Sequence, residues 1–491
     1  MKGMSPEEVR RAVAMWGLAM CLLAASAGWV FMRFGQAWSI ADLPVSDYVS
    51  EIVPAYVITE VAMIPVGGKL VDKYGCRAVL GFAPFLYIFG SLLCVVSVSV
   101  EMLVAFRLLQ GAGAGLILAL AFTAVGKYYE GAKRGKCSEL MTAAFAIGSL
   151  FGTAFGYFLT DTFNWRTGFI VFAALTMVGT VLAWRFLPEE DRVSVPIDKV
   201  GLISASVLFG LATLYTQVVN VHFDLISVPS GLIAAALIFL TVLLIYHSRR
   251  MEWPPIPVHL PKFERNLIIL MFMFSLCGLG LIQYFFKLYL TFYEFNIYKA
   301  SMMFLVMIGG AAITSMTGSR LVYRTGARPW IILGSVITAC GLALTHFIAD
   351  KGVLQLGISL FVFGIGLGCI VTQIICSMQS VVPRREMGLH IGNLMAVRMV
   401  AIMAGNAIIG TYISNVIDRN HVSEAINLSA ADNIVSAIME YVMSGVKYVA
   451  DSLASGFLAI SAILAVVAAL LTLLALTLNR EDVEALGREE E

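Results

Sequence analysis

The amino-acid sequence predicts an all-α integral membrane protein whose chain crosses the bilayer many times. Of its 491 residues, 59% are hydrophobic and only 13% are charged, whereas soluble domains carry about 25% charged residues. Apolar runs of about 20 residues recur along the whole chain, and each is long enough to cross a hydrocarbon core of about 30 Å. Connectors rich in Lys and Arg alternate with connectors that contain few of them. A soluble globular protein is therefore excluded.

The predicted spans are the apolar segments that end at charged residues or at clusters of Pro and Gly. They cover residues 12–34, 52–71, 78–99, 101–126, 138–160, 167–187, 200–219, 229–247, 266–290, 299–322, 329–349, 353–376, 389–415 and 453–478. Most of the 33 Lys and Arg residues fall on alternate connectors, which the positive-inside rule places in the cytoplasm. Fourteen spans then put both termini in the cytoplasm, and the protein is expected to be a multi-pass protein of the cell membrane.

One segment of the chain occurs twice. Residues 68–77 read Gly-Lys-Leu-Val-Asp-Lys-Tyr-Gly-Cys-Arg, and residues 319–328 read Ser-Arg-Leu-Val-Tyr-Arg-Thr-Gly-Ala-Arg. Each copy joins the second and third spans of a six-span half, so the repeat predicts two halves with two additional spans between them. The predicted domains are an N-terminal six-helix bundle (1–190), two linking helices (191–265) and a C-terminal six-helix bundle (266–491) with a long outer connector (417–453).

Composition also limits the chemistry that the chain can carry. The formal net charge is only +1, so no basic field favours a nucleic-acid partner. The eight cysteines have no metal-ligand spacing, and we expect free thiols and no metal or other cofactor. Histidines occur singly and no nucleophile triad is present, so an enzyme is not expected. The first apolar run has the features of a retained helix rather than those of a cleaved signal peptide.

Three segments carry the most specific patterns. They are the loop motif Gly67 to Arg77, the run Arg107-Leu-Leu-Gln-Gly-Ala-Gly-Ala-Gly115 in the fourth span, and the glycines Gly148, Gly152 and Gly156 in the fifth span. These segments resemble the conserved motifs of the fourteen-helix drug:proton antiporter branch of the major facilitator superfamily. The third segment departs from the antiporter motif, because Thr153 replaces its proline and Tyr157 replaces its final glycine.

The resemblance implies a role for the loop motif. In that family the loop is a conformational latch between the two halves, which assigns this role to Gly68, Asp72, Lys73, Gly75 and Arg77. Glycines permit a tight turn beside another helix, and a carboxylate is stabilised at a helix N-terminus. The alternative is a cytoplasmic turn that follows the positive-inside rule. The three glycines of the fifth span are expected to pack against a neighbouring helix.

Proton coupling is assigned to two ionisable residues in apolar spans. Glu60 lies in the middle of the second span, and the resemblance implies a proton-relay role for Arg107 in the fourth. Ionisable groups at membrane depth are costly, so they mark functional sites by default. The alternatives are that Glu60 is a structural ion-pair partner for Arg107 or Arg33, and that Arg107 is a satisfied or surface-directed cation.

The substrate cavity is expected near the bilayer midplane between the halves. Its candidate residues are polar or aromatic side chains within or bordering spans, namely Arg33, Tyr56, Gln283, Lys287, Gln373, Arg398 and Asn406. The carboxylates opposing these cations are Glu60 and, nearer the outer surface, Glu294. This excess of positive charge suits an anionic or amphipathic substrate.

These features favour a proton-coupled secondary transporter of small amphipathic molecules that works by alternating access, as in drug efflux. The open alternatives are a symporter or facilitator for organic anions and a membrane receptor that does not transport. The expected partners are a small-molecule substrate, protons and membrane lipid, and the protein is expected to be a monomer. The resemblance also implies an antiporter, but the changed fifth-span motif leaves the direction of transport open.

Overall fold

The structure is a computed structural model that describes residues 5–44, 46, 48–188, 196–219, 227–251, 253–257, 260–276, 305–315, 325–348 and 353–425. Within these ranges the chain is almost entirely helical and forms no strand. The predicted all-α class is confirmed. The fourteenth predicted span, at residues 453–478, lies outside the described ranges, so the number of fourteen and the division into six, two and six helices stay predictions.

The structure describes thirteen α-helices within these ranges. They are α1 (Pro6–Asp42), α2 (Ile52–Tyr74), α3 (Cys76–Val95), α4 (Val100–Tyr128), α5 (Gly131–Thr162), α6 (Trp165–Phe186), α7 (Lys199–Val218), α8 (Val228–Ser248), α9 (Lys262–Phe274), α10 (Leu305–Ser315), α11 (Ala327–Ile348), α12 (Val353–Val381) and α13 (Met387–Ala425). Nine helical segments in this part of the chain are long and apolar enough to cross a membrane. The protein is a multi-pass membrane protein.

Helix starts follow ordinary capping chemistry. Ser5 and Glu8 form a reciprocal capping box at α1, which satisfies two backbone donors that the first turn leaves free. At α4 the Ser99 hydroxyl group accepts a hydrogen bond from the Met102 N–H group. Asp198 caps α7 with one carboxylate oxygen, and its other oxygen lies 2.6 Å from Nε2 of His247 near the end of α8. The linking helices α7 and α8 are therefore tied together at one end.

Helices α1 to α6 pack together into a first bundle, which faces helices later in the chain. Within the first bundle, α1 packs on α5 and α6, and α4 packs on α2 and α3. Across the molecule, α2 packs on α13, and α5 packs on α12. Helix α7 contacts both α2 and α13, whereas α8 contacts α7 and exposes most of its apolar surface. The contact between α2 and α13 is thus the principal helix pair that joins the two sides.

Two helices continue eight residues or more past the C-terminal ends of their predicted spans. Helix α1 continues to Asp42 rather than ending at residue 34, and α13 continues to Ala425 rather than ending at residue 415. The first part of the connector predicted at 417–453 is consequently helical. Hydropathy measures only the apolar length, whereas a helix can continue through polar residues beyond the apolar run. Residues 35–42 and 411–425 contain no proline, the residue that disrupts helices most strongly.

The cysteines whose positions are described are free thiols, as the sequence predicts. They are Cys21, Cys76, Cys94, Cys137, Cys340, Cys369 and Cys376. The eighth, Cys277, lies outside the described residues.

Candidate functional site

Glu60 lies inside the first bundle at mid-span of α2. Its side chain is only 1% exposed, and no described residue donates a hydrogen bond to its Oε2 atom. The carbonyl oxygen of Glu60 faces α4 so closely that a Cβ atom on Gly115 would lie 2.0 Å from it. An ionised carboxylate without a partner is costly in such surroundings. The free oxygen is therefore a place where a bound proton would be stabilised.

Arg107 connects three helices of the same bundle. Its guanidinium group donates from Nη1 to the Gly28 carbonyl of α1 at 3.1 Å and to Gln110 Oε1 at 2.8 Å. Its Nε atom donates to the Ile52 carbonyl of α2 at 3.3 Å. The group also lies over the Tyr56 ring, 4.3 Å from its centroid. Arg107 is fully buried, and only its Nη2 atom has no hydrogen-bond acceptor among the described residues.

Tyr56 and Gln110 continue this network. The Tyr56 hydroxyl donates to the Ala25 carbonyl at 2.7 Å, and Gln110 Nε2 donates to Ser91 Oγ at 2.8 Å. Polar groups from α1, α2, α3 and α4 thus meet around one buried cation. Glu60, one turn beyond Tyr56, is not in ion-pair contact with Arg107 in this part of the structure.

Arg398 faces the first bundle from α13. It is 4% exposed, and its guanidinium carbon lies 5.1 Å from the centroid of the Phe145 ring on α5. Its nearest polar contact is a weak one, from Nη1 to Met395 Sδ at 4.0 Å. The Nε atom has no acceptor among the described residues. Phe145 also contacts Trp29 of α1, with 6.3 Å between the ring centroids.

The remaining cavity candidates differ in how they are placed. Gln373 on α12 is fully buried, and neither its Oε1 nor its Nε2 atom has a partner in the described part of the chain. Asn406 is half-buried on α13. Arg33 belongs to α1, but the placement of its side chain is not described, and Gln283 and Lys287 lie outside the described residues.

The loop motif meets the start of α13. Both carboxylate oxygens of Asp72 accept backbone N–H groups, from Gly388 and from Leu389, each at 2.7 Å. Free N–H groups and the positive end of the dipole make the first turn of a helix a favourable place for a carboxylate. Lys127 of α4 lies 3.7 Å from Asp72 Oδ1. Lys127 was not predicted, because its sequence position at the end of an apolar helix is typical of any cytoplasmic boundary.

The same helix pair crosses on bare glycine backbone. A Cβ atom on Gly68 would lie 2.0 Å from the Gly388 carbonyl oxygen, and a Cβ atom on Gly388 would lie 2.1 Å from the Gly68 carbonyl oxygen. Gly75 ends α2 at a φ of 83°, in the left-handed region where a side chain is disfavoured. The motif therefore supplies both the approach of α2 to α13 and the turn into α3.

The two basic residues of the predicted latch lie over aromatic rings of α2 and α6. Lys73 lies over the ring of its neighbour Tyr74, and Arg77 lies over Trp184 of α6. Two other cations instead flank a residue of the connector before α9. The Trp253 ring has Lys69 Nζ 5.8 Å from its centroid and the Arg385 guanidinium carbon 4.5 Å from it. This aromatic contact between α2 and the start of α13 could not be found from sequence spacing.

A second polar contact joins the two sides nearer α5. Ser138 of α5 donates to Gln379 Oε1 of α12 at 2.8 Å, and Gln379 Nε2 donates to the Phe122 carbonyl of α4 at 2.9 Å. Arg384 and Glu130 form an ion pair close by. These contacts lie toward the ends of α4 and α12 and the start of α5, which the charge pattern places in the cytoplasm.

The three glycines of α5 face α1. Cβ atoms at Gly148 and Gly152 would lie 2.3 Å from the carbonyl oxygens of Leu23 and Ala27, and one at Gly156 would lie 2.9 Å from the Phe31 ring. Helices approach this closely only where a side chain is missing. The glycines thus hold α5 against α1.

The Asn164-Trp165-Arg166 segment ties the outer end of the first bundle. Asn164 caps α6, and both Trp165 Nε1 and the Arg166 guanidinium group donate to the Asp42 carboxylate at the end of α1. The Arg166 hydrogen bond lowers the pKa of the Asp42 carboxyl group below its usual range.

A cavity of about 1620 Å³ opens beside α1 and α5. Its residues run from the first turns of these helices, with Glu8 and Lys133, to the middle of α5 and α10, with Ile147 and Ala311. The described part of the chain contains no cluster of three or more His, Cys, Asp or Glu side chains able to hold a metal ion.

Known proteins share both the sequence pattern and the fold. The profile of the Major Facilitator Superfamily matches residues 46–406. The Bacillus subtilis (strain 168) protein called multidrug transporter protein MdtP is 24% identical over 404 residues, which cover 78% of this chain and 71% of that protein. Multidrug resistance protein 3 of the same organism is 24% identical over 359 residues, which cover 72% of this chain and 70% of that protein.

Among solved structures, the human organic anion transporter MFSD10 (TETRAN) superposes with a TM-score of 0.62. The match covers 94% of this chain and 100% of that chain at 16% identity. At this identity the likeness concerns the fold alone.

Proposed function

This chain belongs to the major facilitator superfamily, and on that premise we propose that it is a proton-coupled transporter that exports small amphipathic molecules by alternating access. Members of this superfamily are transporters rather than enzymes. Export is favoured because relatives that cover most of the chain are named as multidrug transporters. We further propose that it works as a monomer surrounded by lipid.

The single observation that carries the proposal is the state of Glu60. Its carboxylate is buried at mid-span, and its Oε2 atom has no partner among the described residues. A structural carboxylate at this depth would be expected to have an ion-pair or hydrogen-bond partner, because burial without one is costly. A carrier must instead bind a proton and then release it, which requires an oxygen that no fixed donor occupies. Arg107 lies in the same bundle and favours release of the proton when the site opens to water.

The α2–α13 crossing is the proposed moving part. In the described conformation, Asp72 holds the first turn of α13, and Gly68 and Gly388 let the helices touch. Alternating access by rocking of two helical halves requires such a contact to form in one state and break in the other. The cycle therefore couples proton transfer at Glu60 to opening and closing of this crossing.

A second candidate is a symporter or facilitator for organic anions. It is favoured by Arg398, a buried cation with no carboxylate partner in the described part of the chain. A symporter moves the proton in the same direction as the substrate, and a facilitator moves no proton, so one assay separates both from proton-coupled export.

Proton movement into proteoliposomes with a trapped pH-sensitive dye tests the proposal. Purified protein is challenged with a panel of lipophilic cations and amphipathic anions, and Glu60→Gln is compared with wild type. We expect substrate-dependent proton flux in the wild type and its loss in Glu60→Gln, because the amide cannot carry a proton. The sign of the flux distinguishes exchange from co-transport.

Glu101→Gln is the matched control, because Glu101 is an exposed carboxylate at the start of α4 that bonds Ser46. It should leave the flux unchanged. Equal flux in wild type and Glu60→Gln would show that Glu60 is structural and would overturn the proposal.

A further inference from the structure

Arg398 presents an unusual electrostatic situation for a membrane protein. Its guanidinium group is 4% exposed, yet it contacts an aromatic face and a thioether sulfur rather than a carboxylate. The cation–π contact offsets part of the cost of burial. It leaves the Nε donor without an acceptor among the described residues. A buried cation of this kind is stabilised when an anion enters its pocket.

Trp29 provides a second, independent donor beside the same phenyl ring. Its indole group is 9% exposed, and its Nε1–H has no acceptor in the described part of the chain. Buried indole N–H groups usually find a partner. Trp29 and Arg398 therefore bring two unsatisfied donors next to the same phenyl ring, one from α1 and one from α13.

Arg398 lies at the depth expected for the binding site of a transported molecule. Arg398 is eleven residues beyond the start of α13 at Met387, which corresponds to roughly 16 Å along the helix. This is close to the middle of a hydrocarbon core about 30 Å thick. Phe145 shares its stretch of α5 with Thr142 and Ala146, which line the large cavity.

We propose that the substrate is an amphipathic anion whose carboxylate or sulfonate group binds Arg398, accepts the Trp29 indole N–H and places an aromatic portion against Phe145. This inference rests on the proposed function and narrows its substrate class. A guanidinium group matches the planar, two-oxygen geometry of a carboxylate, and it can also donate to two of the three oxygens of a sulfonate. A lipophilic cation in the same pocket would be repelled by Arg398 and would leave both donors unsatisfied.

Three probes with one ring system and different charge test this assignment. They are 1-naphthoate, the neutral 1-naphthamide and the cationic 1-naphthylmethylamine. Binding is measured on purified protein as the rise in melting temperature, and transport is measured as probe-dependent proton flux in proteoliposomes. We expect 1-naphthoate to stabilise the protein and to drive flux, with the amide weaker and the amine without effect.

Variants at the two donors locate the binding group. Arg398→Gln should weaken 1-naphthoate binding by about tenfold or more, because a hydrogen-bonded charge partner is lost. Arg398→Lys should retain part of the affinity, since the charge remains but the paired geometry does not. Trp29→Phe keeps one aromatic ring and removes the N–H donor together with the second ring, and it keeps the assignment testable if Arg398→Gln fails to fold. It should weaken 1-naphthoate while leaving 1-naphthamide unchanged.

One result would contradict the anionic substrate, and a different result would contradict proton coupling. Proton flux with the amine but not with 1-naphthoate would overturn the anion assignment and leave proton-coupled transport standing. Binding of 1-naphthoate that depends on Arg398 without proton flux from any probe would support the pocket and contradict proton coupling. Absence of stabilisation by 1-naphthoate, or equal stabilisation of wild type and both donor variants, would overturn the pocket.

Discussion

Arg107 and Arg398 are both buried guanidinium groups, but their surroundings differ. Arg107 donates to two backbone carbonyls and to Gln110, so it holds three helices together as well as carrying charge. Arg398 has an aromatic ring and a sulfur atom as its nearest contacts. Because unpaired charge at membrane depth is costly, the second arrangement is the one that a ligand would stabilise.

Residue chemistry in the sequence identified charged groups but not their partners. Glu60 and Arg107 stand out because each interrupts an apolar run. Lys127, Trp253 and Trp29 do not, because a basic residue at a helix end and an aromatic residue near a membrane boundary are common everywhere. Their importance depends on contacts between segments far apart in the chain, which spacing along one segment does not report.

The two hydrogen bonds of Asp72 are expected to stabilise the crossing of α2 and α13. Asp72→Asn removes the charge and leaves one amide oxygen to serve two N–H groups, those of Gly388 and Leu389. We expect the crossing of α2 and α13 to be weakened by about 2 kcal/mol, or about thirtyfold in the equilibrium between its closed and open forms. Distances between nitroxide labels at the exposed positions Ala78, at the start of α3, and Lys262, at the start of α9, measure this equilibrium.

Lys73→Gln is the comparison for that experiment. Lys73 is adjacent in the motif but lies over Tyr74 of its own helix rather than over α13. The label distances should therefore stay as in wild type. Equal shifts in both variants would mean that the Asp72 hydrogen bonds are not what holds the crossing.

At the scale of helices, close approach depends on glycine. Gly68→Ala would place a methyl group 2.0 Å from the Gly388 carbonyl oxygen, so the helix backbones must separate. We expect transport to fall by at least tenfold while the protein still folds, because the clash acts only where the two sides meet. Transport by reconstituted protein and elution as a single species in detergent check the two parts of this prediction.

Gly231→Ala on α8 is the control, because a Cβ atom there meets nothing within 4 Å. It should leave transport unchanged and raise helix stability by up to about 1 kcal/mol. Unimpaired transport in Gly68→Ala would show that the described crossing is not required for the cycle.

The existence of the helices was predictable, but their ends were less so. Hydropathy located the apolar core of each described helix, since the bilayer requires about 20 apolar residues. It could not detect the extra turns of α1 and α13 beyond that core, because these depend on local hydrogen bonding rather than on apolar length. In the repeat of the loop motif, Gly326 is the counterpart of Gly75, and it has a similar φ of 82°.

At the scale of the whole molecule, the duplication extends from that loop into the helix packing. A Cβ atom on Gly113 would lie 2.4 Å from the backbone nitrogen of Tyr87, and one on Gly366 would lie 2.6 Å from the backbone nitrogen of Thr338. Such equivalence arises from contacts between helices, so the sequence repeat alone did not reveal it. The scaffold is thus duplicated in both parts of the chain.

The chemistry is not duplicated with the scaffold. A Cβ atom on Gly115 would meet the Glu60 carbonyl oxygen at 2.0 Å, whereas one on Gly368 would meet the Ala311 carbonyl oxygen at 2.2 Å. The counterpart of the buried carboxylate is therefore an alanine. By the same offset, Arg107 corresponds to Leu360. Proton coupling is accordingly assigned to the first bundle, while the unpaired cation Arg398 faces it from the other side.

Exchange and gradient-driven transport, measured side by side in Glu60→Gln, test whether Glu60 carries the proton that drives transport. Proteoliposomes loaded with unlabelled substrate and exposed to labelled substrate report exchange without a proton gradient, and an imposed pH difference reports coupled accumulation. We predict that Glu60→Gln retains exchange but loses accumulation, because the conformational cycle continues without a proton carrier. Accumulation at the wild-type level in this variant would contradict the account.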